Sequence, residues 1–254
     1  MLQIGDLDRK RVLVTGASSG IGAAVVQAFA QQGAQVALHF RSHAPAANAL
    51  AERIRGGGGT VVLVQGDLSE SGVAARVVEE AARALGGLDI LVNNAGAIVG
   101  RRPILEADDE FLDAVFDLNA RAVLGACRAA IPHLEQSAGV IINVGSIAGL
   151  DGGGSGAGIY ASSKAFVHNL TRHLARDLAA KKIRVNAVSP GVIETPFHAT
   201  TPPERMEAMR KSVPLGRAGV PNDCVGAFLF LASGELSGYI TGQIIHVNGG
   251  QVMP

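Results

Sequence analysis

The chain has 254 residues, 48 % of them apolar, and 22 Lys plus Arg balance 22 Asp plus Glu. That balance excludes a broad nucleic-acid or anionic-membrane surface as the basis of function. Trp is absent and aromatics make up only 4 %, so the core must be built from Val, Ile, Leu and Ala, as in a parallel sheet covered by helices on both faces.

The opening MLQIGDLDRKRVLV has charges where a secretion signal would need an apolar run. No stretch is continuously apolar enough to span a bilayer. Cys127 and Cys224 show neither metal spacing nor a disulfide pattern. Together these features predict a cytoplasmic protein with no membrane partner.

A first strand at 11–15 (RVLVT) runs into the loop VTGASSGIG and a helix at 20–32. Gly16, Gly20 and Gly22, with Ser18, Ser19 and Ile21 between them, form a turn whose backbone can approach a pyrophosphate. The helix behind it offers free N–H groups and the positive end of its dipole. The letters Gly16 to Gly20 also fit the G-x-S-x-G elbow of a hydrolase, with Ser18 as nucleophile and His198 or His246 as its base. That elbow normally follows several strands, and the hydrolase reading leaves Tyr160 and Lys164 unused.

The second strand, 35–40, ends in HFRSH. A dinucleotide site specific for NAD(H) places a carboxylate there for the ribose hydroxyls. This chain has Arg41 followed by Ser42. A guanidinium suits a 2′-phosphate, so NADP(H) is favoured, with NAD(H) as the alternative.

Helix 45–55, strand 60–65, helix 70–86 and strand 88–93 continue the alternation. A long helical pattern follows at 106–136. Asn119 lies inside it, a poor helix-interior residue, and a local kink is expected there. Strand 139–144 leads through a glycine-rich run to a helix at 158–181. On that helix Tyr160 and Lys164 stand at i and i+4, on one face. The ammonium is expected to draw the phenol pKa down from about 10. After a strand at 183–188, the polar, proline-bearing segment 196–219 interrupts the rhythm, with a short helix near 203–211. Helix 221–233 and strand 243–247 complete the chain. Strands separated by helices predict right-handed βαβ units. The fold expected is α/β, a single-domain Rossmann-type doubly wound parallel sheet of about seven strands, spanning 1–254.

With TGASSGIG, NNAG at 93–96, SIAG at 146–149, YASSK at 160–164 and PGVIET at 190–195 in this order, the chain resembles the short-chain dehydrogenase/reductase family over essentially its whole length. It is most similar to the 3-oxoacyl-carrier-protein reductase and sugar dehydrogenase branches. The resemblance implies that Tyr160 exchanges the proton, Lys164 lowers its pKa and binds the nicotinamide ribose, and Ser146 holds the substrate oxygen. It implies that Asn119 completes the set by holding a water that relays protons to Lys164. Asn93, Ala95 and Gly96 would line the cofactor cleft, Asp67 followed by Leu68 would meet the adenine, and Pro190, Gly191, Ile193 and Thr195 would enclose the nicotinamide end. A homotetramer or homodimer is implied as well, its contact made by helices 106–136 and 158–181, both rich in small residues. The Ser146–Tyr160 separation is one residue longer than the common family spacing, an extra residue that the run DGGGSGAG can absorb. The intact Asn119, Ser146, Tyr160 and Lys164 argue against a regulator that has lost its chemistry. The excess of Arg205, Arg210, Lys211 and Arg217 over Glu204 and Glu207 favours an anionic or phosphopantetheine-bearing substrate, whether a small molecule or an acyl thioester.

Overall fold

The computed structural model describes residues 3–199 and 201–254. Thr200, within the expected covering segment, lies outside the described residues.

The strands are β1 (Arg11–Val14), β2 (Gln35–Phe40), β3 (Thr60–Gln65), β4 (Ile90–Asn93), β5 (Val140–Val144), β6 (Arg184–Pro190) and β7 (Ile244–Val247). They form one sheet in the order β3-β2-β1-β4-β5-β6-β7, every pair parallel. The expected doubly wound sheet is therefore present.

Both faces of the sheet are buried, which is why the strands read as continuous apolar runs. Alternate residues still sort by face. Val12, Val14, Val36 and Leu38 pack under α1 (Gly20–Gln31), α2 (Ala44–Gly56) and α9 (Pro221–Ala232). Leu13, Ala37, Leu91 and Ile141 pack under α3 (Val73–Leu85), α5 (Ala122–Glu135) and α7 (Gly158–Asp177). The order of the strands reverses between β1 and β4. At such a point the connections leave in opposite directions and open a crevice beyond the strand ends.

The helical pattern at 106–136 resolves into three pieces: α4 (Asp109–Phe116), one π turn (Asp117–Arg121) and α5. Asp108 caps α4, accepting a hydrogen bond from the N–H of Phe111 at 2.8 Å. Several small residues of this stretch are used within the chain. Ala120, Ala122, Ala126 and Ala130 are buried within the chain, and a Cβ on Gly125 would stand 3.4 Å from the Cβ of Ala74 on α3. They bring α5 close to its own α3.

The pattern at 158–181 is α7 followed by a 3-10 turn, Ala179–Lys181. Two short helices complete the set, α6 (Ala148–Asp151) after β5 and α10 (Gly234–Ser237) after α9, and the segment 196–219 carries α8 (Pro203–Lys211). Among the described residues no helix is long and apolar enough to cross a membrane.

Candidate active site

A cleft of about 630 Å³ runs over the strand ends at the switch point. Its floor begins with the glycine turn. Gly16 and Gly20 have φ of +62° and +55°, a region L side chains avoid. A Cβ on Gly16 would stand 2.8 Å from the Cα of Ala95, so only glycine lets the two strand ends meet this closely. The Oγ1 of Thr15 accepts from the N–H groups of Asn94 (2.9 Å) and Ala95 (3.0 Å), tying β1 to β4. Ser19, the residue before α1, makes no side-chain cap, which leaves the first N–H groups of α1 for a ligand.

His39, a polar residue buried in β2, is a strut that sequence reasoning missed. Its Nδ1 accepts from the Gly16 N–H and its Nε2 faces the Gly66 carbonyl, each at 3.0 Å. Burial holds its pKa down at about 4, so the ring is neutral, as an accepting Nδ1 requires.

Ser18, Ser19, Gly20 and Ile21 line the cleft beside Gly16. Gly22 does not. A Cβ there would stand 2.4 Å from the Nδ2 of Asn94, which donates to the carbonyls of Thr15 and Gly16. Gly22 thus makes room for the bond that closes the turn.

Asn93 also departs from its expected place. It is buried below the cleft, where its Nδ2 donates to the Oδ1 of Asn143 at 2.9 Å, and Asn143 in turn donates to Thr171 on α7. Asn93 joins β4, β5 and α7, while the neighbouring Asn94, Ala95 and Gly96 line the cleft.

Arg41, Ser42, Asp67 and Leu68 gather at one end of the cleft. Asp67 accepts from the hydroxyl of Ser69 at 2.6 Å and from its N–H at 3.0 Å. These bonds, the hydroxyl first, hold its carboxyl below the usual carboxylate range against the opposing effect of burial. The guanidinium of Arg41 lies 3.8 Å from Asp67 and remains exposed. Phe40, between His39 and Arg41, is buried.

Ser146, Tyr160 and Lys164 gather at the other end. Tyr160 is 9 % and Lys164 3 % exposed. Lys164 donates to the carbonyl of Val144 at 2.9 Å and stands 5.8 Å from the centre of the Tyr160 ring. The expected fall in the Tyr160 pKa does not occur in this structure. Burial pushes the phenol up to about 12, and the Ser146 hydroxyl and the Arg101 charge pull the other way without reversing it. Burial also brings Lys164 down to about 8. Desolvation is the largest cause for both groups, which are deep, and the ammonium is turned toward a carbonyl.

Asn119 sits within the π turn, fully buried, and its side chain does not line the cleft. Its Nδ2 donates to the carbonyls of Ala97 and Val115, and its Oδ1 accepts from the Ala97 N–H. It thereby clamps the chain after β4. A Cβ on Gly96 would stand 2.8 Å from the Oδ1 of Asn119 and 3.2 Å from the Nζ of Lys164. The two functional groups therefore come together behind that glycine.

One turn beyond Lys164, His168 is wedged against Gly145, the residue before Ser146. A Cβ on Gly145 would stand 2.1 Å from the Nε2 of His168. Among the described residues neither nitrogen of His168 finds a hydrogen-bond partner, nor does the Nδ1 of His246, whose ring stands edge-on to it at 6.4 Å.

Pro190, Gly191, Ile193 and Thr195 form the far wall, with the Val192 N–H held by Gln251 at 2.9 Å. The segment 196–219 adds Phe197, whose ring centre lies 5.8 Å from that of Tyr160, and Arg205 and Met209 from α8. Arg101, from the loop after β4, also reaches this end. Phe197, Arg101 and Gln251 were invisible to motif reading, because distant segments bring them in.

No catalytic triad forms around Ser18. Among the described residues neither His198 nor His246 is hydrogen-bonded to it; His198 faces Thr201 and His246 packs on His168. A glycine turn at a bare helix start, a cationic end and a phenol–ammonium end fit an extended dinucleotide. No group of His, Cys, Asp and Glu among the described residues could hold a metal ion.

The family model described as "Enoyl-(Acyl carrier protein) reductase" matches residues 16–251. A 3-oxoacyl-acyl-carrier-protein reductase of Thermotoga maritima is 38 % identical over 248 residues, covering 97 % of this chain and 99 % of that one. Among solved structures, the NADH-dependent reductase A1-R′ complexed with NAD superposes with a TM-score of 0.89 at 38 % identity, over 99 % of this chain and 100 % of that one. A short-chain dehydrogenase from Burkholderia cenocepacia in complex with NADP gives a TM-score of 0.91 at 34 % identity, over 97 % and 99 %.

Proposed function

The chain belongs to the short-chain dehydrogenase/reductase family of oxidoreductases, and on that footing we propose that it transfers a hydride between NADP(H) and a carbonyl or secondary-alcohol substrate. The observation that carries this reading is the meeting of Tyr160, Lys164 and Ser146 at one end of a cleft whose middle is the glycine turn. The chain works as one unit, with 196–219 covering the substrate.

The nicotinamide supplies the hydride when bound. Gly16 to Ile21 and the start of α1 hold the pyrophosphate. Asp67 and Leu68 border the adenine, Arg41 and Ser42 the ribose 2′ position, and Ile193 and Thr195 the carboxamide. Ser146 holds the substrate oxygen. Tyr160, protonated at neutral pH because burial keeps its pKa near 12, gives its proton to the developing alkoxide. Lys164, mostly charged below about 8, stabilises the phenolate that remains, helped by the charge of Arg101. Asn119 acts from behind, keeping the turn and the neighbourhood of Lys164 in shape. In carbonyl reduction the protonated phenol is the proton donor.

NADP(H) is preferred because the end of β2 has no carboxylate and presents an exposed arginine. Relatives use either cofactor: one of the neighbours above is NADH-dependent and another was solved with NADP. The test is kcat/KM with NADPH and NADH across a ketone panel, followed at the nicotinamide band. The expected preference for NADPH is on the order of tenfold to a few hundredfold, and Phe40→Asp with Arg41→Ala should reverse it. Tyr160→Phe should lower kcat about 10²–10⁴-fold while cofactor binding persists. Near wild-type turnover in that variant would refute the role given to Tyr160.

A further inference from the structure

We propose that the substrate is an oxo acid whose carboxylate is held between Arg101 and Arg205. The inference rests on the carbonyl-reducing reading above and adds what the other end of the substrate looks like.

The two arginines come from different parts of the chain, one from the loop after β4 and one from α8. Both line the catalytic end of the cleft and both are half-buried. They converge on a single acceptor, the carbonyl oxygen of Ser155, with the Nη1 of Arg101 at 3.3 Å and the Nη2 of Arg205 at 3.1 Å. Among the described residues neither has a carboxylate within salt-bridge reach. Their sequence neighbours on the outer surface behave differently: Arg102 is paired with Asp108 at 2.8 Å and Arg210 with Glu194 at 2.7 Å. At this end of the cleft two arginines thus stand side by side with no carboxylate between them. Two carboxylates line the cleft: Asp67 lies at the Arg41 end, and Asp151 has its Oδ1 engaged by the Gly153 N–H at 2.8 Å and pairs with neither arginine.

Two guanidiniums this close repel, and the repulsion is relieved when an anion lies between them. One carbonyl oxygen satisfies one N–H of each and leaves the rest of each fork free. A planar carboxylate matches that remainder with parallel charge-assisted bonds. The anion would stand in the same pocket as the phenol, because Arg101, Arg205 and Tyr160 line one cleft and the charge of Arg101 is felt at Tyr160. Phe197 packs over Tyr160 from the covering segment, which narrows the space between phenol and arginines to a short chain.

The glycine-rich run before α7 builds this pocket. Gly156 has φ of +72°, and a Cβ there would stand 3.1 Å from the Cβ of Arg101; a Cβ on Gly154 would stand 3.1 Å from the Nη2 of Arg205. Side chains in the run would push both arginines away from Ser155.

The test uses wild type, Arg101→Met and Arg205→Met. The probes are oxohexanoates with the ketone at successive positions, each beside its methyl ester, and dihydroxyacetone phosphate, with NADPH and with NADH. The wild type should prefer at least one acid to its ester by about tenfold or more in kcat/KM. Each methionine variant should bring that ratio toward one, chiefly by raising KM for the acid. Esters used as well as acids, a ratio that the variants leave in place, or dihydroxyacetone phosphate preferred to every acid would each overturn the proposal. Calorimetric titration of the oxohexanoates into the same proteins gives a reading independent of turnover. If no probe is reduced with either cofactor, the hydride-transfer reading falls; acid binding that the variants lose would then uphold the arginine pair, and absence of binding would overturn it.

Discussion

The Gly16 N–H donates to His39, so the glycine turn keeps its shape only while that ring is neutral. His168, buried against Gly145, is in the same position. Burial holds both pKa values at about 4, against an unperturbed value of 6.5. Because each folded-state value lies below the unfolded one, the unfolded chain takes up protons first as the solution is acidified. The stability these neutral rings contribute is complete above about pH 6.5 and is lost as the pH falls toward 4, by at most roughly 3 kcal/mol apiece. Chemical denaturation at pH 7 and pH 5 should show that loss, and His168→Leu should show less of it. An unchanged difference between the two pH values in that variant would mean that other groups carry it. At this scale the sequence was most legible where chemistry lies within one helical turn, as with Tyr160 and Lys164. His39 and Arg101 were hidden because their partners are a backbone amide 23 residues away and a carbonyl 54 residues away.

The three-part helix from Asp109 to Glu135 shows where element-level reading stops. Its apolar period predicts one helix, and Asn119 predicts a break. The form of the break depends on tertiary contacts, because the Asn119 amide bonds to Ala97 outside the helix as well as to Val115 within it. A π turn carries one extra residue per turn and such turns often mark functional positions. Asn119→Leu would leave the part-buried Ala97 N–H and carbonyl and the buried Val115 carbonyl short of a partner. The expected cost is about 2–4 kcal/mol by denaturation, and a loss under 1 kcal/mol would show that the π turn holds itself. The strands were read to within two residues at each end, since both faces are buried and the apolar runs end where burial ends. The covering segment was recognised as an interruption, and its helix, Pro203–Lys211, falls at the expected place.

At the scale of the molecule, several small residues of α5 pack inside the chain, while apolar side chains remain outside. Phe166 on α7 is 38 % exposed, Leu105 97 % and Tyr239 fully. Exposed apolar groups of this size are uncommon on a monomer's surface when they cluster, and closed symmetric pairing is the usual way to cover them. Light scattering at micromolar concentration should give a mass two or four times the 26.0 kDa of one chain; a single-chain mass would leave these side chains as scattered surface residues. Phe166→Glu should shift the population toward the smaller species. The sheet itself was legible because alternation of strand and helix admits few topologies. Which face meets a partner was not, because small residues look alike whether they admit a neighbouring helix of the same chain or of another.

The contact between His168 and Gly145 also sets an order in which this protein can change. A Cβ at 145 would fall 2.1 Å from the imidazole, while the backbone there carries no positive φ that would itself demand glycine. Gly145→Ala is therefore blocked by one side chain and not by the fold. Made alone it should lower thermal stability; made after His168→Ala it should cost little, giving a coupling of about 1–2 kcal/mol in a double-mutant cycle. A lineage carrying this histidine can reach alanine at 145 by one route only, histidine first, and a cycle with no coupling would reopen the other route.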